Sequence, residues 1–171
     1  MIAFPSTVAA PEEVSGEYLI FTLGRDSYGL AVERVREIFL APEITPVVHP
    51  PGPMRGTANL KGHAIPVLDF RRRFRFEDEA QRGEGYVIVA EVALPQRGGG
   101  GTALVGALVD DVEAVVKIPD AEIAPAPRFG PVHAGHANGV ATVHDQATTL
   151  LDIDRVVLGE NLDDFAWLQG E

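Results

Sequence analysis

His133 and His136, separated by two residues, and His144 followed by Asp145 are of the types that can hold zinc. The first two lie in a Gly- and Pro-rich stretch with no helical register to aim both imidazoles at one ion. A small metal-dependent hydrolase built on His133, His136 and a carboxylate is the enzyme-class alternative that these residues allow. His49 and His63 stand singly beside turns. A Ser/His/Asp set is poorly supplied, because the only serines are Ser6, Ser15 and Ser27. Asp110-Asp111 closes a strand and could serve acid–base work, although carboxylates in that position are usually solvated. The tetraglycine Gly98–Gly101 lacks the Lys-Ser or Lys-Thr pair and the following helix of a phosphate-binding loop. Arg71-Arg72-Arg73 and Arg75 interleave with Phe70, Phe74 and Phe76 in the one basic cluster. On a short helix this becomes an apolar face turned inward and a solvated cationic face. Two lone charges stand out by setting: Glu37 beside apolar Val35 and Ile38, and Lys61 in the turn Asn59-Leu60-Lys61-Gly62. Turn residues between apolar strands are displayed rather than buried.

The elements that must hold these residues follow from composition and pattern. The 171 residues suit one domain or two small lobes sharing a core. Lys and Arg number 14 against 25 Asp and Glu, a formal charge of −11, which speaks against nucleic acid or an anionic membrane as the main partner. No Cys is present, which excludes disulfides, thiolate metal sites and Cys nucleophiles. No apolar run approaches the roughly 20 residues of a membrane span, and the opening MIAFPSTVAAPEEV is a poor signal peptide. The expectation is a soluble, cytoplasmic, folded protein with no direct membrane insertion.

Residues 1–16 read as a flexible arm, 17–162 as one domain and 163–171 as a tail. Glu17–Leu23 and Tyr28–Val32 predict a hairpin across the turn Gly24–Ser27. Val32, Val35 and Ile38 fall at helical spacing and predict a short helix over Val32–Ile38. Thr57–Leu60 and Ala64–Leu68 read as strands around Lys61-Gly62, with Pro66 demanding an edge or a bulge. Asp69 is placed to cap a helix over Phe70–Phe76. Tyr86–Leu94, Thr102–Val109, Val112–Ile118, Val140–Val143 and Thr148–Ile153 are further strands, and Asp152 or Asp154 caps a helix over Arg155–Leu162. Nine or ten short strands without strand–helix alternation define an all-β class with minor helices.

Across the same segments the chain resembles the CheW family of bacterial chemotaxis coupling proteins. The carriers are FTLGRDSYGLAVERVREI at Phe21–Ile38, ITPVVHPPGPMRGTANLKGHAIPVLDFRRRF at Ile44–Phe74, ALVGALVDDVEAVVKI at Ala103–Ile118 and TTLLDIDRVV at Thr148–Val157. The resemblance implies two small five-stranded Src-homology-3-like barrels packed on a shared core. It implies no enzymatic activity, no cofactor and no metal. The implied partners are the regulatory domain of a chemotaxis histidine kinase and the cytoplasmic tip of methyl-accepting chemoreceptors, which would recruit the protein to the inner face of the membrane in receptor arrays. It also implies a partner-binding set of Val35, Glu37, Ile38, Asn59, Lys61, Gly62, Gly106 and Val115, with Glu37 on a helix. Lys61 stands where the family most often has Arg, and lacks the bidentate fork of a guanidinium. An adaptor from a non-flagellar chemosensory pathway, serving surface motility or gene regulation, is the close alternative.

Overall fold

The computed structural model describes residues 2–3, 16–40, 42–46, 54–70, 85–94, 100–125 and 137–158. Twelve strands lie among them. They are β1 (Ile2–Ala3), β2 (Glu17–Leu23), β3 (Asp26–Ala31), β4 (Val35–Leu40), β5 (Thr45–Pro46), β6 (Met54–Leu60), β7 (His63–Asp69), β8 (Tyr86–Ala93), β9 (Thr102–Val109), β10 (Asp111–Lys117), β11 (Ala137–Val143) and β12 (Gln146–Leu151). A 3₁₀ turn covers Val32–Arg34, another covers Asp120–Glu122, and helix α1 spans Ile153–Leu158.

The strands form two sheets. The first runs β1-β4-β8-β9-β7-β6-β5 and the second β10-β2-β3-β12-β11. Each has five long strands, since β1 and β5 are two residues each on the margins of the first. Pairing is antiparallel except for β7 with β9 and β12 with β3. The all-β, two-lobed expectation therefore holds.

Three apolar clusters explain why two sheets make one body. Val67, Val87, Val89, Ala58 and Leu108 fill the first sheet's own lobe. Ile20, Ile118, Ala141 and Leu150 fill the second's. The largest cluster belongs to both: Leu19, Phe21, Tyr28 and Leu30 from the second sheet meet Val35, Ile38, Ile88, Ala107 and Val109 from the first. Phe21 is its hub, stacked on Tyr28 at 5.8 Å between ring centroids and tilted against Phe70 at 6.4 Å. Each such fully buried side chain contributes about 1.5–3 kcal/mol. Where the second sheet's parallel strands meet, the buried Thr148 Oγ1 hydrogen-bonds Ser27 Oγ at 2.9 Å, satisfying two polar groups inside the fold.

The expected helix over Val32–Ile38 is corrected. Only Val32–Arg34 turns, and Val35–Leu40 is strand β4. The register of β4 on β8 shifts between Val35 and Glu37. This bulge inserts one residue, so Val35 and Ile38, three apart, both turn into the shared core. Three-residue apolar spacing is a helix signal in a regular chain and a bulge signal here. Pro66 satisfies its constraint locally. Strand β7 is internal, but β9 pairs only with its Val67–Asp69 end, leaving the Pro66 stretch paired on the β6 side alone. The strand-end carboxylates are structural: Asp110 Oδ2 accepts from the Gly24 N–H at 2.6 Å, and Asp111 Oδ1 from the Val112 N–H at 2.8 Å. Of the expected arm, Ile2–Ala3 pairs with β4. The expected helix after Phe70, the tetraglycine's first two residues, and His133 and His136 lie outside the described residues.

Helix α1 starts at Ile153. Asp152 Oδ1 accepts from the backbone N–H groups of Asp154 at 3.1 Å and Arg155 at 3.4 Å, so Asp152 is the cap. Asp154 has a different role. It takes the Arg34 guanidinium bidentately, with both N–O distances 2.8 Å, and its Oδ1 also accepts from the Ala93 N–H at 2.8 Å. Arg34 Nη1 further donates to the Glu91 carbonyl at 3.0 Å. This clamp ties the start of α1 to the entry of β4 and to β8. Burial alone would raise the Asp154 pKa, but the hydrogen bonds from Arg34 and Ala93 outweigh it and hold the group below its ordinary 3.8. A depressed carboxylate pKa stabilises the fold above the ordinary value, and that contribution is lost as pH falls through the folded value. Asp154→Asn is expected to cost about 1–3 kcal/mol at neutral pH, since it breaks a half-buried charge-assisted pair. In urea unfolding, the gap between parent and variant should persist down to pH 4 and close below it.

Candidate functional site

The β6–β7 hairpin turns on two residues, Lys61-Gly62, between the paired Leu60 and His63. Both turn residues have left-handed backbones, φ 55° for Lys61 and 84° for Gly62. That is the conformation required by the tight turn whose twist matches its strands. Gly62 adopts it freely, whereas Lys61 carries a Cβ into a region that L-residues avoid. The turn carries the Lys61 ammonium toward β4, where its Nζ lies 2.7 Å from Glu37 Oε1. The Lys61 side chain is 53% exposed and that of Glu37 only 20%. The second carboxylate oxygen, Glu37 Oε2, is buried with no hydrogen-bond partner among the described residues. Beside Glu37 on the bulge, Arg36 pairs with Glu91.

A groove of about 260 Å³ opens along this pair. Its apolar walls are Phe39, Leu60, Ile65, Val89 and Leu104, and its polar rim adds Arg36 and His63 to Glu37 and Lys61. Leu104 is 38% exposed. The site is thus an apolar trough with an ion pair at one side. It is shaped for another molecule's apolar side chains beside polar groups. No group of three or more His, Asp or Glu residues is placed to hold a metal among the described residues. His144 and Asp145 form a two-residue turn between β11 and β12, both with positive φ.

Of the eight residues implied by the resemblance, the fold brings Glu37, Lys61, Asn59 and Gly62 together around β4 and the β6–β7 turn. Asn59 is exposed and opposite Ala64. Val35 and Ile38 are 2% and 1% exposed and belong to the shared core. They set the bulge that aims Glu37 and present no surface. Gly106 is buried in β9, where an added Cβ would lie 2.7 Å from Val87 Cγ1 and 3.3 Å from Val67 Cγ2. Both neighbours belong to the lobe core behind the groove, so its role is close packing. Val115 lies on β10 in the other sheet, 45% exposed. Sequence reasoning missed Phe39, Ile65, Val89 and Leu104 as lining. The signal for Phe39 was its alternation with Glu37 on one strand face, hidden while the segment read as helix.

Such a trough on a two-lobed all-β body defines a protein-interaction module. Residues 17–160 match the CheW-like domain family, and the chain belongs to it. The chemotaxis protein CheW of Klebsiella aerogenes is 31% identical over 157 residues, covering 90% of this chain and 88% of that protein. Protein FrzA of Myxococcus xanthus is 30% identical, covering 87% and 88%. The crystal structure of the scaffolding protein TtCheW from Thermoanaerobacter tengcongensis superposes with a TM-score of 0.70 at 25% identity, over 82% of this chain and 86% of that one.

The two halves of the ion pair differ in what their loss leaves behind. Lys61→Met strands a mostly buried Glu37 carboxylate and is expected to cost about 1–3 kcal/mol. Glu37→Gln leaves only an exposed ammonium, whose pair is worth under about 1 kcal/mol. Equilibrium urea unfolding of both variants checks this asymmetry. In the same assay Gly106→Ala should cost about 1–3 kcal/mol through overpacking against Val87.

Proposed function

We infer that the protein is a non-enzymatic chemotaxis scaffold that couples chemoreceptors to a histidine kinase, so that receptor state controls kinase activity. The observation that carries this reading is the Glu37–Lys61 pair beside an apolar groove, on a chain of the CheW-like family. In this reading the groove takes the apolar stripe of a receptor's cytoplasmic helical hairpin, and another face holds the kinase regulatory domain. Residues 17–162 act as the coupling unit, flanked by 1–16 and 163–171. Nothing in the mechanism needs bond chemistry. A signal passes only if the scaffold binds the receptor's signalling states with different affinity. In this reading the protein works in the cytoplasm and reaches the membrane's inner face through its receptors; no helix among the described residues is long and apolar enough to cross a membrane.

Lys61 suits this role differently from Arg. A single ammonium makes a point contact with Glu37 and leaves it rotatable, whereas a guanidinium would lock both oxygens. The percent identity to Protein FrzA, 30%, is close to the 31% to the Klebsiella chemotaxis protein. A chemosensory pathway that does not drive flagella is the second reading, and the same groove would serve it.

The test uses a soluble receptor hairpin fragment and the kinase regulatory domain from the source genome, titrated against the immobilised protein. Both are expected to bind the parent. Glu37→Lys and Lys61→Glu should each weaken the receptor fragment at least about tenfold, and the double exchange should recover part of the loss. A parent that binds neither partner, or single variants that bind the receptor fragment like the parent, would overturn the assignment.

A further inference from the structure

Buried polar groups find partners in a folded protein, and one that does not calls for a reason. Among the described residues, Glu37 Oε2 is the buried side-chain oxygen left without a donor. Lys61 holds only the other oxygen, with Nζ 2.7 Å from Oε1. Glu37 lines the groove, beside the apolar walls Phe39, Leu60 and Leu104.

The second lobe shows how the same place is built when it is closed. The two lobes repeat one arrangement. Gly106 lies opposite Val67 on a parallel neighbour and Val89 on an antiparallel one. Gly29 lies opposite Leu150 and Ile20 in the same way. Counted two residues back along each parallel pair, Leu104 and Ile65 of the groove wall correspond to Ser27 and Thr148. Those two are buried and hydrogen-bond each other at 2.9 Å. The second lobe therefore satisfies its polar groups internally. The first leaves Leu104 partly in water and an acceptor unsatisfied beside it. Both defects are removed together if whatever covers the trough also brings a donor.

Charge fixes the class of that donor. Arg36 and Lys61 already share the rim with Glu37, so a further cation would be repelled. An anion would meet the Glu37 and Glu91 carboxylates on a chain of charge −11. A neutral donor meets neither penalty and gains a charge-assisted hydrogen bond. Taking the groove as the receptor-binding site, on which this rests, we propose that it selects an apolar stripe carrying one neutral hydrogen-bond donor, a side-chain amide or hydroxyl, that seats on Glu37 Oε2. The terminal torsion of a glutamate is broad, so the carboxylate can turn this oxygen to the trough while Lys61 keeps the other. Apolar walls discriminate weakly between stripes of similar size. A buried acceptor discriminates strongly, because a stripe lacking the donor leaves it unpaired.

The probe is the soluble receptor hairpin fragment, titrated against the immobilised full chain. In the fragment, each Asn, Gln, Ser, Thr, Lys and Arg flanking the apolar stripe is replaced singly by Ala. Every fragment is measured on the parent, on Glu37→Met, which removes the acceptor, and on Lys61→Gly, which removes the ion pair but keeps the acceptor. Glycine suits the φ of 55° at position 61, and thermal melting checks that both variants are folded. One Asn, Gln, Ser or Thr position is expected to lose about tenfold or more on the parent and less than about twofold on Glu37→Met. On Lys61→Gly its loss should remain about tenfold. If Glu37 serves only to hold Lys61, the two protein variants behave alike and the proposal is overturned. It is also overturned if no position couples to Glu37, or if the coupled position is Lys or Arg. In each of these cases binding of the parent leaves the receptor-site reading standing. A parent that binds no fragment overturns that reading and the proposal together.

Discussion

The bulge in β4 is the constraint on which both the core and the site depend. One strand must bury Val35 and Ile38 between the sheets and still send Glu37 to the opposite face. A regular strand cannot do this, because residues three apart point to opposite sides. The extra residue between Val35 and Glu37 resolves the conflict. The bulge also turns out Arg36, which is anchored on Glu91, and sets Phe39 in the groove wall. The Arg34–Asp154 clamp holds the entry of this strand against β8 and α1. Packing energy, local twist and side-chain display are thus coupled in six residues.

The site brings several unfavourable features together in one place. A lysine occupies a left-handed turn position where glycine or asparagine would sit at lower cost. A buried carboxylate oxygen lacks a donor among the described residues, and Leu104 stays partly in water. Such features persist only where the surrounding structure is strong enough to hold them. Here the support is the lobe core behind the groove, kept tight by the absence of a side chain at Gly106. A surface of this kind gains when another molecule covers its apolar part.

Much of the fold could be read along the chain. Short, near-continuous apolar runs such as Tyr86–Ala93 and Thr102–Val109 declare strands buried on both faces. The Lys61-Gly62 turn was legible because Gly follows a residue between two apolar runs. The helix at Val32–Ile38 was misread for a specific reason: a bulged strand and a helical turn share the same three-residue spacing, and only the partner strand tells them apart. The groove was less legible still. Its walls come from β4, β7, β8 and β9, which are neighbours only through non-local pairing.

By itself the sequence determined the class: all-β, acidic, without cysteine chemistry, with Glu37 and Lys61 set apart by their apolar surroundings and motifs running in the order of one family. Local patterning suffices for this, because strand period, turn chemistry and charge are properties of short segments. The tertiary structure decided that Glu37 and Lys61, 24 positions apart by their numbering, meet at 2.7 Å. It also decided that Val35 and Ile38 are buried in the core shared by the two sheets. These outcomes depend on register and sheet order, which are set by long-range pairing and by the shared core between the lobes. No window of the chain contains that information.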